Sequence, residues 1–203
     1  MNCPKDKLFK IIFATLALIV GTAQAHAFGL GFSAGTGTET WENSDGYDGD
    51  RDVSNVGFLL DTGVSTDKVY NYRFTLMKEE NSANGGTLDL KGYATTHDFC
   101  FSLLNTKQMR VWVGPELKAA YYKDLSLNNS SASISGHATG IGVGPAVGVN
   151  VHMPRVVTFS LTASYYLLSA YSGDFDKGVV NNSFDVDSHG LYINASVIFR
   201  TNE

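Results

Sequence analysis

The stretch VTFSLTASYYL, at positions 157–167, decides the fold. Apolar residues stand at every second position from Val157 to Leu167, and hydroxyl residues stand between them from Thr158 to Ser164. Successive side chains of a β-strand point to opposite faces. This period of two therefore predicts a strand with one apolar face and one polar face.

The same alternation recurs in seven other segments, and together the eight segments predict eight antiparallel strands. The other seven lie at residues 28–35, 55–64, 70–76, 98–103, 110–122, 141–151 and 191–199. The polar faces of the predicted strands carry charges of both signs, at Asp61, Arg73, Asp98, Arg110, Glu116 and Lys118.

The predicted connections alternate in length along the chain. Short ones lie near residues 65–68, 105–108 and 153–155, and long ones near 42–52, 79–87, 123–138 and 171–187. Outer-membrane barrels join their strands in this order, with short periplasmic turns and longer external loops, whereas a soluble sandwich or lipocalin has no reason to do so. The sequence thus predicts an all-β fold, an eight-stranded antiparallel transmembrane β-barrel with its apolar faces outward.

The composition agrees with a barrel. Hydrophobic residues make up 43% of the chain, yet beyond residue 25 no apolar run is long enough for a transmembrane helix. Backbone groups in lipid must all pair internally, which leaves a closed barrel as the remaining spanning structure.

The N-terminus predicts a cleavable Sec-type signal peptide at residues 1–25, followed by one barrel domain at 26–203. Lys5, Lys7 and Lys10 precede an apolar run at 11–20, and Ala23-Gln24-Ala25 has the small-residue pattern of a signal-peptidase site. The alternative is a membrane anchor, but the run is about half of the ~20 residues that a spanning helix needs.

Removal of this segment changes the charge and the cysteine count. The whole chain has 15 basic and 20 acidic residues, so losing three lysines and Asp6 leaves 12 and 19, a net charge of −7. Nucleic acid is therefore excluded as a partner, because it would require a basic stripe. Cys3 is lost, and we expect Cys100 to be an inert, buried thiol with no disulfide partner in the chain.

Two further patterns concern the strand ends and the prolines. Aromatic residues near predicted strand ends suggest interfacial girdles, with ordinary strand propensity as the alternative; they are Trp41, Tyr70, Tyr121, Tyr122, Tyr165, Tyr166 and Tyr171. The related segments VWVGPE (111–116) and IGVGPA (141–146) place Pro115 and Pro145 at bulges or irregular pairings, or else their glycines admit a ligand.

The last predicted strand, SHGLYINASVIF at 188–199, resembles the C-terminal assembly signal of the eight-stranded outer-membrane β-barrel family. That family includes OmpX, the OmpA transmembrane domain and Opa-like proteins, and the chain is OmpW-like in size. The resemblance covers essentially the whole mature chain. It implies a Gram-negative outer-membrane location among lipid and lipopolysaccharide, and insertion by the barrel-assembly machinery through this strand.

Three groups of residues are candidates for chemistry. The six inward charges predict a structural ion-pair network, or alternatively a gated polar path. Residues 45–52, DGYDGDRD, read as a solvated acidic loop, with divalent-cation binding as the alternative. Lipid A enzymes exist among small barrels, but Ser188 and His189 must point to opposite faces of their strand, and His97, His137 and His152 form no recognisable triad.

The sequence accordingly predicts no catalytic, cofactor or metal site. The leading hypothesis is a non-enzymatic barrel that displays four external loops for surface interaction or envelope integrity. A small channel or conduit for small apolar molecules is the alternative, and a lipid A modifying enzyme is a third hypothesis.

Overall fold

The computed structural model describes residues 28–42, 48–62, 69–83, 88–127, 135–153, 156–176 and 181–201. The strands are β1 (Gly29–Glu42), β2 (Asp48–Asp61), β3 (Tyr70–Ala83), β4 (Leu88–Asn105), β5 (Met109–Leu127), β6 (Ser135–His152), β7 (Val157–Asp176) and β8 (Asn181–Arg200). Each pairs antiparallel with its neighbours in sequence, and β1 also pairs with β8, so that the sheet closes. The predicted eight-stranded antiparallel barrel is confirmed.

The signal-peptide prediction falls on residues 1–25, which lie outside the described part of the chain. In the described part, no helix is long and apolar enough to cross a membrane.

The barrel wall has its apolar face outside. In β7, Phe159 and Leu161 are 46% and 55% exposed, whereas the hydroxyl residues between and beside them are buried. This inverts the arrangement of a soluble barrel, because lipid replaces water as the surrounding medium. The polar inner faces of all eight strands therefore meet in the lumen.

The strands run further toward the external end than the sequence pattern predicts. Parts of all four predicted long loops, at 42–52, 79–87, 123–138 and 171–187, are strand. The β1–β2 pairing continues to Glu42↔Asp48, and the β7–β8 pairing continues to Asp176↔Asn181. The loop prediction was wrong there because the continuing ladder of backbone hydrogen bonds outweighs a composition of Asn, Ser, Gly and Asp that favours turns.

The predicted short connections near 105–108 and 153–155 are confirmed at the end of the barrel where β1 begins and β8 ends, and the one near 65–68 lies outside the described residues. The Thr106 amide donates to the Met109 carbonyl (2.8 Å), and the Met109 amide donates to Thr106 Oγ1 (2.9 Å). The Met153 amide donates to the Val157 carbonyl (2.9 Å) across the second turn. The short turns mark this end as the periplasmic one.

Pro145 lies where the strand register shifts, as predicted, and Pro115 lies in a gap of the β4–β5 pairing between Asp98↔Glu116 and Phe101↔Val113. Pro115 and Pro145 are opposite each other in β5–β6, and Pro145 falls within the β6–β7 register shift between Val143 and Ala146. Beside them, a Cβ added to Gly114 would lie 1.8 Å from the Phe99 carbonyl oxygen. Gly114 therefore allows the close approach of β4, and the space beside it is not available to a ligand.

We expect Gly114→Ala to destabilise the barrel by about 1–3 kcal/mol or more, because β4 must move away from the new methyl group. Urea unfolding in lipid vesicles, followed by tryptophan fluorescence, measures this loss. Ala119→Val on the outer face of the same strand is the control and should unfold as the wild type does. Equal midpoints for all three proteins would contradict the close approach.

Candidate functional site

The candidate site is the lumen, where the inward faces of the eight strands meet. All six predicted inward charges lie there, and none is more than 4% exposed; they are Asp61, Arg73, Asp98, Arg110, Glu116 and Lys118. Their inward placement is confirmed. Among the described residues, sequence reasoning missed four further buried charges, Glu39, Arg51, Glu79 and Arg200.

Arg73 is the centre of the periplasmic half of the lumen, which we call the lower network. Its guanidinium donates through Nε (3.1 Å) and Nη2 (2.8 Å) to Asp61 Oδ2. It also reaches across the lumen to Ser160 Oγ (3.0 Å), Thr162 Oγ1 (3.1 Å) and Asn150 Oδ1 (3.1 Å). One side chain from β3 therefore ties β2, β6 and β7 together through the interior.

Arg110 extends the lower network toward the periplasmic turns. It donates to Asn71 Oδ1 and to Ser102 Oγ, and Asn71 Nδ2 donates in turn to Asp61 Oδ1 (2.8 Å). The Arg73 guanidinium carbon lies 5.1 Å from the centre of the Trp112 ring. A large indole and two guanidinium groups thus fill this half of the lumen.

Lys118 is the centre of the external half, which we call the upper network. Its ammonium donates to Glu79 Oε1 (2.8 Å) and to the Tyr192 hydroxyl (2.8 Å), and it lies 3.7 Å from Glu39 Oε1. The ring of Tyr192 is also in cation–π contact, 4.4 Å from the nitrogen. A buried ammonium with two carboxylates is satisfied in the way that a low-dielectric interior requires.

Glu39 has the largest set of partners in the upper network. Its Oε2 accepts from Trp41 Nε1 (2.9 Å) and Asn81 Nδ2 (3.0 Å), and its Oε1 accepts from the hydroxyls of Tyr171 (2.7 Å) and Tyr192. The Arg51 guanidinium stacks on the Trp41 ring at 4.1 Å and donates to Asn81.

The aromatic-girdle prediction was wrong for four of its seven residues, Trp41, Tyr122, Tyr166 and Tyr171, which are buried in the lumen. Tyr70, Tyr121 and Tyr165 do lie exposed on the outer wall. The four inward aromatic side chains donate hydrogen bonds to buried carboxylates. These hydrogen bonds, and not the membrane interface, determine which face of the strand the aromatic residues occupy.

Between the two networks lies a small central chamber. Asp98 and Glu116 are opposite each other in the β4–β5 register, and Glu116 accepts from Ser164 Oγ (2.6 Å) and from the Tyr166 hydroxyl. The chamber that they line, together with Arg73, has a volume of about 10 Å³. That is the space of about one water molecule, so paired side chains fill the lumen at this level of the barrel.

The four histidines in the described part of the chain do not converge on one site. His97 is on the lipid-facing side of β4 with Tyr72, and His152 is inward on β6 beside Thr158 Oγ1 (2.9 Å). His137 and His189 belong to the external parts of β6 and β8. Among the residues that the structure describes, no group of three or more His, Cys, Asp or Glu side chains is placed to hold a metal ion.

The acidic stretch at 45–52 differs from its prediction as a loop. Residues 45–47 lie outside the described part, while Asp48–Asp52 belong to β2. Asp50 and Asp52 point outward and Arg51 points inward, because the pairing with β1 imposes the strand alternation. The thiol of Cys100 is buried beside Trp112, as expected, and its chemical inertness stays a prediction.

Comparison with known proteins shows which solved structures share this architecture. No protein-family profile and no curated protein matches the chain. The chain is similar to the outer membrane protein OprG from Pseudomonas aeruginosa, with a TM-score of 0.52 and 11% identity over 88% of this chain and 98% of that one. It has the fold of an outer-membrane β-barrel.

Two other solved barrels align over most of their length. Neisserial surface protein A gives a TM-score of 0.43 and 18% identity, covering 84% of this chain and 97% of that one. The outer membrane protease OmpT from Escherichia coli gives 0.44 and 8%, covering 86% and 95%. With its apolar outer wall and closed sheet, this chain has the architecture of an integral membrane β-barrel.

We expect Lys118→Met to destabilise the barrel by about 3–5 kcal/mol, because Glu39 and Glu79 would lose the buried cation that compensates them. Urea unfolding in vesicles is the measurement. Lys123→Met, on the same strand but exposed, should cost less than about 1 kcal/mol. Similar losses in the two variants would contradict the upper network.

Proposed function

We propose that this protein is a non-enzymatic outer-membrane barrel whose closed body displays its external strand extensions for surface interaction or envelope integrity. The observation that carries the proposal is the filled lumen. Arg73 and Lys118 each bind partners from across the barrel, so the interior acts as a brace for the wall. A brace of buried, paired charges favours a rigid scaffold over a pore.

The remaining parts of the proposal concern origin and assembly. We place the chain with the OmpX, OmpA-transmembrane and Opa-like group, OmpW-like in size, and assign residues 1–25 to a cleaved export signal. The terminal strand is the segment that the barrel-assembly machinery would recognise. In its favour, β8 ends at Arg200 after an uninterrupted alternation from Ser188, and it closes the barrel against β1.

The histidine positions support the non-enzymatic part of the proposal. Acyl transfer or hydrolysis requires a nucleophile, a base and an orienting group within hydrogen-bond reach of one another. His97, His137, His152 and His189 instead occupy separate strand positions and opposite faces of the wall.

A conduit for small apolar molecules is the second candidate, and one observation favours it. The external part of the lumen holds an apolar cluster, made of Trp41, Met77, Leu90, Ala94, Ala120, Tyr122, Ala138 and Tyr171. An apolar molecule entering from outside would meet this cluster first. It would then have to displace Lys118 from Glu79 to pass further.

The closed lumen predicts that the purified, folded protein adds no discrete conductance to planar lipid bilayers at neutral pH. A general porin in the same bilayers serves as the control for insertion and sensitivity. The expected record is flat, because paired side chains of the two networks fill the narrow interior of an eight-stranded barrel. Reproducible unitary openings would contradict the scaffold proposal and favour the conduit.

A further inference from the structure

A long apolar groove crosses the lipid-facing wall of the barrel. Its volume is about 1060 Å³, the upper end of the range for small-molecule sites. Ala34 and Ala195, directly opposite each other in β1–β8, form its floor. The larger side chains of Phe32, Phe58 and Leu161 stand around them. Small residues between large ones create the depression.

The strand register gives the groove its course. Two adjacent rows of outward residues line it. The upper row is Val149, Leu161, Ala195, Ala34, Val56, Lys78 and Tyr93, and the lower row is Val151, Phe159, Val197, Phe32, Phe58 and Leu76. The rows cross seven of the eight strands, and successive strands lie ~4.8 Å apart, so the groove follows the curved wall for about 29 Å.

The two ends of the groove lie at opposite membrane boundaries. Val151 is next to the last residue of β6, close to a short periplasmic turn. Lys78 follows Leu76, the last apolar outward residue of β3, toward the external end. The groove therefore rises obliquely through the hydrocarbon region and ends among charged residues at the outer leaflet.

Basic residues collect where the groove ends. Lys78, Lys91 and Lys123 are exposed on β3, β4 and β5. Glu80 holds two of them together, with its carboxylate oxygens 3.2 Å from Lys78 Nζ and 3.5 Å from Lys91 Nζ.

The opposite side of the external rim is acidic. It carries exposed carboxylates on β1, β2, β7 and β8, at Glu42, Asp50, Asp52, Asp174, Asp185 and Asp187. The β3–β5 side carries three exposed lysines and Glu80, which together have a net charge of +2, so an anionic headgroup is attracted to this side, where the groove opens, and repelled from the other.

We propose that this groove is a binding site for a phosphorylated acyl lipid of the outer leaflet, of the lipid A class. An acyl chain lies along the Ala34–Ala195 floor, and a phosphate contacts the exposed ammonium groups of Lys78 and Lys91 on the side away from Glu80. The apolar floor matches the chain, and the lysine pair matches the anionic head. Tyr93, exposed beside Lys78, is placed at the level of the headgroups.

Charge complementarity selects this occupant over a second copy of the chain. Two copies joined along the groove would each place the same lysines near the contact, which costs like-charge repulsion. A free fatty acid would use the floor but has no phosphate for the two lysines. The site is independent of whether the lumen opens, so it stands or falls separately from the scaffold proposal.

Native mass spectrometry of the full, folded chain in detergent tests the site, with hexa-acylated, bisphosphorylated lipid A as the probe. We expect a one-to-one adduct with the wild type. Ala34→Phe fills the floor, and the double variant Lys78→Gln/Lys91→Gln removes the phosphate contacts; each should reduce the adduct by about tenfold or more. Ala119→Phe, outward on β5 and away from the groove, should leave it unchanged.

The outcomes separate the possible occupants. If the Ala34→Phe variant formed as much lipid A adduct as the wild type, the proposed site would be wrong. Palmitate binding that equals lipid A binding and ignores the lysine substitutions would show an unspecific acyl groove and would also overturn it. A dimer mass in place of the adduct would assign the groove to a second copy. The lysine variant alters exposed side chains alone, so it remains informative even if Ala34→Phe fails to fold.

Discussion

Pairing of buried charges across the lumen is the interaction on which the rest of this structure depends. A sheet in lipid must close to satisfy its backbone, and closing with eight strands leaves an interior that side chains fill. Lipid takes the apolar faces, so the polar faces have to turn inward. Arg73 and Lys118 then make the crowded interior stable by binding partners on strands far away in sequence.

The same alternation has a second consequence on the outer wall. Outward residues of paired strands form rows around the barrel. The paired alanines Ala34 and Ala195 leave a groove in the wall because their side chains are small. Because the rows climb across the membrane, a groove of this kind connects the hydrocarbon region to the charged external rim. Inside and outside thus serve different purposes, one as a brace and the other as a lipid contact surface.

The period of two predicted the strands and the inward direction of Arg73 and Lys118, because these depend on local alternation alone, and the alternating connection lengths predicted the barrel. The prediction for Tyr171 was wrong because the β7–β8 register shifts between Tyr166 and Ser169. Inward-facing residues of β7 have even numbers before this shift and odd numbers after it. Glu39 continues the inward phase of β1 beyond the predicted strand. The bonds from Arg73 to Ser160 could not be predicted, since they depend on how the strands stagger around the barrel.

The osmotic water permeability of proteoliposomes tests the central claim most directly, since water is the smallest probe of a lumen closed by paired charges. Stopped-flow light scattering after a step in external osmolarity gives this permeability at several protein densities. The account predicts the same permeability as in protein-free vesicles at every density. A permeability that rises in proportion to the amount of folded protein would contradict it.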